Sequence, residues 1–164
     1  MFNKIINAFA IFKQSHPDYI LIIYGEGDER HKLEQKILKM NLRNDVFLPG
    51  RKQNVHELIL GAELFVMASN FEGMSNSLIE AMCLGLPCIS TKVSGATDLI
   101  QHGINGLLVD IGDTYGMYEA MCEIVDDRLR AQLIGKNASE LYFDLNVDKI
   151  SKLWINYIDS IINQ

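Results

Sequence analysis

Apolar residues recur at helical spacing from the start of the chain. Phe2, Ile5, Ile6, Phe9 and Phe12 predict a helix over 2–14 that buries one aromatic face. Ser15-His16-Pro17-Asp18 ends it. Tyr19 to Tyr24 is then an unbroken β-branched and aromatic run, which predicts a strand covered on both faces. The turn Gly25-Glu26-Gly27-Asp28 leads into a predicted helix over 29–40, with Leu33, Ile37 and Leu38 inward. Val46-Phe47-Leu48 predicts a short strand closed by Pro49-Gly50. The alternation continues with a helix near 54–61, a strand at 64–68, a helix near 75–84 and a strand at 87–91. A short helix over 96–101 and a strand at 106–109 follow, the strand introduced by Gly103-Ile104-Asn105. The remainder is helical by period over 114–126, 128–141 and 147–162, with no repeat, low-complexity tract or linker. Strands that are apolar throughout and alternate with helices specify an α/β fold: one Rossmann-like domain over 1–164, a parallel sheet with helices on both faces.

In such a sheet ligands bind beyond the carboxyl ends of the strands. Gly25-x-Gly27, Pro49-Gly50-Arg51, Glu72 to Asn76, and Ser94-Gly95 should therefore gather along one edge.

Composition narrows the chemistry. The 164 residues are 48% hydrophobic and 22% charged, ordinary for a globular protein with a real core. Fifteen Lys and Arg stand against 21 Asp and Glu, a net charge of −6 without a basic run. That excludes a nucleic-acid surface and a lysine-driven membrane face. No apolar run approaches the roughly 18 residues of a membrane span, and the first helix lacks a signal-peptide cleavage site. The expected setting is the cytoplasm. Cys83, Cys88 and Cys122 have no metal-ligand spacing and read as buried structural thiols. His16, His31, His56 and His102 read as surface or cap residues, and Met67, Met74 and Met82 as core or pocket wall.

The informative block is Glu72-Gly73-Met74-Ser75-Asn76-Ser77-Leu78-Ile79-Glu80, directly after an apolar strand. Strand, tight glycine-led loop and helix start form the geometry in which backbone N–H groups point at an anion, with Ser75 as a fitting N-cap. Two glutamates beside a phosphate conflict with that. Unit charges about 4 Å apart repel by about 4 kcal/mol at an effective dielectric of 20, whereas the helix dipole returns about 0.3–1 kcal/mol. Both carboxylates must face hydrogen-bond donors instead, and adjacent sugar hydroxyls suit them. A nucleotide-sugar presents such hydroxyls on both sides of a diphosphate. Glu80 would then take the ribose and Glu72 the sugar, with the amides of Gly73, Met74, Ser75 and Asn76 between them. Gly25 and Arg51 are further candidates at the same edge, although a structural turn accounts for Gly25 equally well and a plain surface pair with Lys52 accounts for Arg51 better.

This block, with Gly85-x-Pro87, Phe47-Leu48-Pro49-Gly50 and Gly103-x-Asn105-Gly106-Leu107-Leu108-Val109, resembles the E-x7-E motif region of retaining GT-B glycosyltransferases over about residues 5–125. The resemblance implies the C-terminal, donor-binding half of a GT-B fold, with Glu80 on the donor ribose and Glu72 beside the donor sugar as the catalytic residue. It implies a UDP- or GDP-sugar as donor, with no metal and no separate cofactor. The acceptor would be a polysaccharide, lipopolysaccharide or lipid-linked glycan, reached through a missing N-terminal domain, with peripheral membrane association of the full protein at the inner face of the cell membrane. Asp98 stands where the family often has a glutamate, and reads here as a helix-start residue.

The resemblance begins after that domain's opening strand and the following loop, which carries an arginine and a lysine for the diphosphate. That strand is central in the usual order. The strands at 19 and 64 should then either close on each other or receive another segment, since each unpaired buried backbone group costs about 1–3 kcal/mol. A catalytically incomplete nucleotide-binding fragment and a nucleotide-sugar epimerase of the same fold are the alternative readings.

Overall fold

A computed structural model describes residues 2–162. Its elements run α1 (Phe2–Ser15), β1 (Leu21–Tyr24), α2 (Arg30–Lys39), β2 (Val46–Gly50), α3 (Val55–Ile59), β3 (Phe65–Met67), α4 (Asn76–Cys83) and β4 (Cys88–Thr91). They continue with α5 (Ser94–Thr97), β5 (Leu107–Val109), α6 (Thr114–Asp126), α7 (Arg128–Ser139), α8 (Leu141–Asp144) and α9 (Val147–Ile162). The order of strands and helices is the predicted α/β alternation, and every strand pairing is parallel.

The strands form two sheets, β1-β2 and β3-β4-β5, and no hydrogen bond joins β1 to β3 among the described residues. The two strands predicted to lose a neighbour have not closed on each other. One core cluster nevertheless spans both sheets: Ile5, Ile6, Phe9 and Phe12 of α1 pack with Val46, Ile89, Leu107 and Met121. Leu21 and Ile23 of β1 and Val66 of β3 join its margin. The amphipathic spacing of α1 thus has a physical use: its apolar face belongs to the one core cluster that also takes residues of both sheets. A second cluster, with Leu78, Ala81 and Met82 of α4 and Met67, Cys88 and Val93, fills the other face of the three-stranded sheet.

The expected covering of both faces holds for β3-β4-β5 and fails for β1-β2. Ile20, Ile22 and Phe47 are 54%, 42% and 44% exposed, because α1 and α2 pack on one side only of the shorter sheet. β1 also starts two residues later than predicted. Tyr19 instead sets its ring edge-on to Phe12 with centroids 5.4 Å apart, and its carbonyl accepts from Lys13 Nζ at 2.8 Å.

Several further expectations need correction. Leu38 is exposed: the inward face of α2 ends with Leu33 and Ile37, and the turn through Asn41 brings Leu42 into the core instead. α5 begins earlier than predicted, so Asp98 is its C-cap and not a helix start. α7 stops at Ser139 and the short α8 was unforeseen. Cys88 is buried, which pushes its thiol pKa up, but Cys83 and Cys122 are only half-buried. His16 is not a plain surface residue: its ring stacks on Phe12 at 4.2 Å and Nε2 lies 2.9 Å from Asp126 Oδ1. α9 matches its predicted span, yet none of its residues is buried.

Gly85, in the turn after α4, has φ +76° and faces Gly135 of α7. A Cβ on Gly135 would stand 2.2 Å from the Gly85 carbonyl oxygen, so the two backbones meet without side chains between them.

Candidate donor-sugar site

The site is built at the carboxyl ends of β3 and β4. Ser69 and Thr91 follow or end these strands, and both are buried. The Ser69 N–H donates to Thr91 Oγ1 at 2.9 Å, and Thr91 Oγ1 donates back to the Ser69 carbonyl at 2.7 Å. This reciprocal pair extends the β3-β4 ladder by one step and fixes where the next loop leaves the sheet. Ser69 Oγ then donates to Glu72 Oε2 at 3.1 Å, which sets the half-buried carboxylate at the mouth of the loop.

Gly95 of α5 braces the loop from the other side. Its N–H donates to the Glu72 carbonyl at 3.3 Å. A Cβ there would lie 1.5 Å from the Gly73 carbonyl oxygen and 3.0 Å from the Met74 nitrogen. Around Gly73 itself no protein atom lies within 4 Å of a Cβ position. The protein's own close approach therefore falls on Gly95, not on the glycine inside the motif.

Ser75 caps α4 as expected, with extended φ and ψ of −89° and 110°. Its Oγ accepts from the Leu78 N–H at 3.4 Å and lies 3.1 Å from Ser77 Oγ. The helix ladder begins with the Ile79 N–H on the Ser75 carbonyl at 3.1 Å, so the amides of Asn76 and Ser77 precede the first intrahelical bond. They are the open helix-start amides that the sequence reading offers to an anion. Glu80, one turn beyond Asn76, is exposed and has no ion-pair partner among the described residues. Met67 and Met82 are core, whereas Met74 is exposed on the loop.

Gly25 and Gly50 meet at the carboxyl end of the other sheet, where the Gly25 N–H donates to the Gly50 carbonyl at 3.0 Å. Both have positive φ, +125° and +80°. Arg30 braces this corner through Glu26 at 2.8 Å, Glu34 at 2.9 Å and the Leu48 carbonyl at 2.8 Å. Arg51 and Lys52 next to it are exposed and unpaired among the described residues. The four predicted loops thus gather as two pairs, Glu72–Asn76 with Gly95 and Gly25 with Gly50.

Thr91 and the Ser69 hydroxyl were not foreseen as site residues. A Ser or Thr at the last position of an apolar strand is the available signal, since a buried hydroxyl there must find a backbone partner. Phe71, almost fully exposed beside Glu72, was also unmarked. A cavity of about 240 Å³ between β5 and α6 is lined by Asp110, Asp113, Glu119 and Glu123 against Lys92 and His102, an acidic excess of the wrong sign for a diphosphate. His16, Cys122 and Asp126 bring potential metal-ligand atoms within 4.8 Å of one another. They lie ahead of β1 and at the end of α6, away from the carboxyl-end loops. No described helix is long and apolar enough to cross a membrane.

Comparison with known proteins identifies what carries this arrangement. The sequence profile of the family described as "Glycosyl transferases group 1" matches residues 2–141. N-acetyl-alpha-D-glucosaminyl L-malate synthase of Bacillus anthracis is 31% identical over 140 residues, 85% of this chain and 36% of that protein. UDP-Gal:alpha-D-GlcNAc-diphosphoundecaprenol alpha-1,3-galactosyltransferase of Escherichia coli is 27% identical over 151 residues, 90% of this chain and 39% of its own. Among solved structures, Anabaena HepE in complex with UDP-glucose superposes with a TM-score of 0.86 at 25% identity, covering 96% of this chain and 44% of that one. The chain spans less than half the length of each of these relatives. Its fold is that of the C-terminal half of a GT-B glycosyltransferase, and the chain belongs to the group 1 glycosyl transferase family.

Proposed function

We propose that this chain is the donor-binding half of a retaining glycosyltransferase. It holds a UDP- or GDP-sugar for transfer to a polysaccharide, lipopolysaccharide or lipid-linked acceptor, in the cytoplasm at the inner face of the membrane. The observation that carries the reading is the Ser69-held Glu72 beside the open start of α4, with the unpaired Glu80 one turn along. In this reading the amides of Gly73 to Ser77 take diphosphate or sugar oxygens, Glu80 accepts from the ribose hydroxyls and Glu72 from the donor sugar. Arg51 and Gly25 flank the nucleotide end. Catalysis is then orientation of the donor and stabilisation of the departing diphosphate, with the acceptor brought by a further domain and no metal required. That relatives are named for UDP-sugar transfer or bound to UDP-glucose supports the donor class.

Calorimetric titration with UDP, GDP and their sugars tests the proposal. Saturable binding to one nucleotide class is expected, weakened about 10- to 100-fold in Glu80→Ala as a charge-assisted pair of roughly 1.5–3 kcal/mol is lost. Silence toward every donor would sink it.

A second reading, nucleotide binding without turnover, is favoured by the cation supply. The carboxyl-end loops offer Arg51, Lys52 and Lys92, and Lys92 is already paired with Asp110 at 2.7 Å. Saturable UDP binding with no donor hydrolysis or transfer is its expected result.

A further inference from the structure

We propose that His16, Cys122 and Asp126 form a binding site for one divalent metal ion, zinc by its chemistry, which clasps the end of α1 to the end of α6. No sequence spacing marks the site, because folding brings His16 to Asp126 from 110 residues away. Cys122 and Asp126 stand at i and i+4 on α6 and so share one face of that helix. His16 follows directly after α1, which packs against α6. One ligand atom from each of the three residues lies within 4.8 Å of the other two. Zinc bond lengths set tetrahedral neighbours roughly 3.3–3.7 Å apart, so small side-chain rotations close the site around an ion.

The hydrogen bonds of His16 prepare it as a ligand. Ser15 Oγ donates its one proton to the Phe12 carbonyl at 3.2 Å, so it accepts from His16 Nδ1–H at 2.9 Å. That tautomer turns the Nε2 lone pair toward Asp126 Oδ1, 2.9 Å away. Two acceptors this close need a positive charge between them, either a second proton on the ring or a metal ion. The ring plane is already set, stacked on Phe12 at 4.2 Å and edge-on to Tyr19 at 6.0 Å. An acceptor on the far ring nitrogen is what holds the orientation of metal-bound histidines.

Cys122 supplies what a plain His–Asp pair lacks. Burial raises its thiol pKa, so the ion takes the place of the thiol proton, which leaves to solvent. Thiolate, carboxylate and neutral imidazole then bring two negative charges to a doubly positive ion. A sulfur, nitrogen and oxygen donor set suits zinc, whereas calcium and magnesium take oxygen alone. Asp126 is exposed, so the ion enters from solvent and a water completes its fourth position. The site lies at the amino ends of the strands, away from Glu72 and Glu80, and is independent of donor binding.

Calorimetric titration of the reduced, tag-free chain with Zn²⁺ tests the site, with Co²⁺ as the spectroscopic probe. One ion per chain is expected, with a thiolate-to-Co²⁺ charge-transfer band in the near ultraviolet. Loss of an outer-shell partner costs about 10–100-fold in affinity, so loss of a ligand in Cys122→Ser or Asp126→Asn should weaken Zn²⁺ binding ~100-fold or more. The Co²⁺ band should vanish in Cys122→Ser and persist in Cys83→Ser, whose thiol lies on α4. At free Zn²⁺ about 100 times Kd, Tm should rise by about 5–10 °C in the parent and not in Cys122→Ser. Asp126 is exposed, so Asp126→Asn keeps the fold and carries the test even if Cys122→Ser unfolds. Three results each overturn the proposal: no binding at millimolar Zn²⁺, parent-like affinity in Asp126→Asn together with Cys122→Ser, or a Co²⁺ band lost in Cys83→Ser and kept in Cys122→Ser.

Discussion

Replacing Gly95 with alanine is expected to lower stability by about 1–3 kcal/mol, the usual cost of overpacking, and to weaken donor binding at least ~10-fold. The new methyl would fall 1.5 Å from the Gly73 carbonyl oxygen, with the Gly73 carbonyl carbon at 2.4 Å. Those are backbone atoms and cannot swing aside, so either α5 backs away or the loop from Glu72 to Met74 shifts. Either movement breaks the 3.3 Å bond from the Gly95 N–H to the Glu72 carbonyl and moves the site carboxylate. Gly73→Ala is the informative partner. It adds a methyl where no protein atom lies within 4 Å and where φ is not positive, so its stability should stay within about 0.5 kcal/mol of the parent. Urea unfolding and calorimetric titration on both variants give the comparison. Equal stability of the two would remove Gly95 from its bracing role.

Leu78→Ala should destabilise the chain by about 2–5 kcal/mol, the range for emptying a buried leucine site. Leu78 is 0% exposed and packs in the cluster beneath α4 with Met67, Met82 and Cys88. The substitution keeps the Leu78 N–H that Ser75 Oγ accepts, so it isolates packing from capping. Ser75→Ala removes the cap together with the contact to Ser77 Oγ and should cost about 1 kcal/mol. Thermal unfolding separates them, at about 2–4 °C for each kcal/mol in a chain of this size. A smaller loss in Leu78→Ala than in Ser75→Ala would mean that the cap, not the core, seats the start of α4.

The pattern of apolar residues revealed the alternation of strands and helices because each strand is a local run and each helix a local period. Ser75 as N-cap was legible for the same reason, since cap, loop and helix are contiguous. What was not legible depends on contacts between distant parts of the chain. Nothing near Tyr19–Tyr24 says that Ile22 lacks a cover on one side, because the run is as apolar as a fully buried strand. The reciprocal bonds of Ser69 and Thr91 join positions 22 residues apart. Gly95 reads as one more loop glycine until the motif backbone is laid against it. His16 finds Asp126 110 residues away, and no spacing rule anticipates that pair. For Glu72 and Glu80 the charge conflict in the sequence was the useful clue, since it turned the reading from phosphate toward hydroxyls, while the Ser69 hydroxyl that holds Glu72 is a contact the structure adds.

The unburied α9 has a spectroscopic consequence. The chain has one tryptophan, Trp154, and it sits on that helix with most of its ring in solvent. Its emission therefore reads the surroundings of α9 and is nearly blind to the core beneath α1 and α4. A shift to shorter wavelength would signal that something has covered the helix, while far-ultraviolet circular dichroism follows unfolding of the sheets and their helices. One fluorophore thus reports on association, separately from stability, without any engineered label.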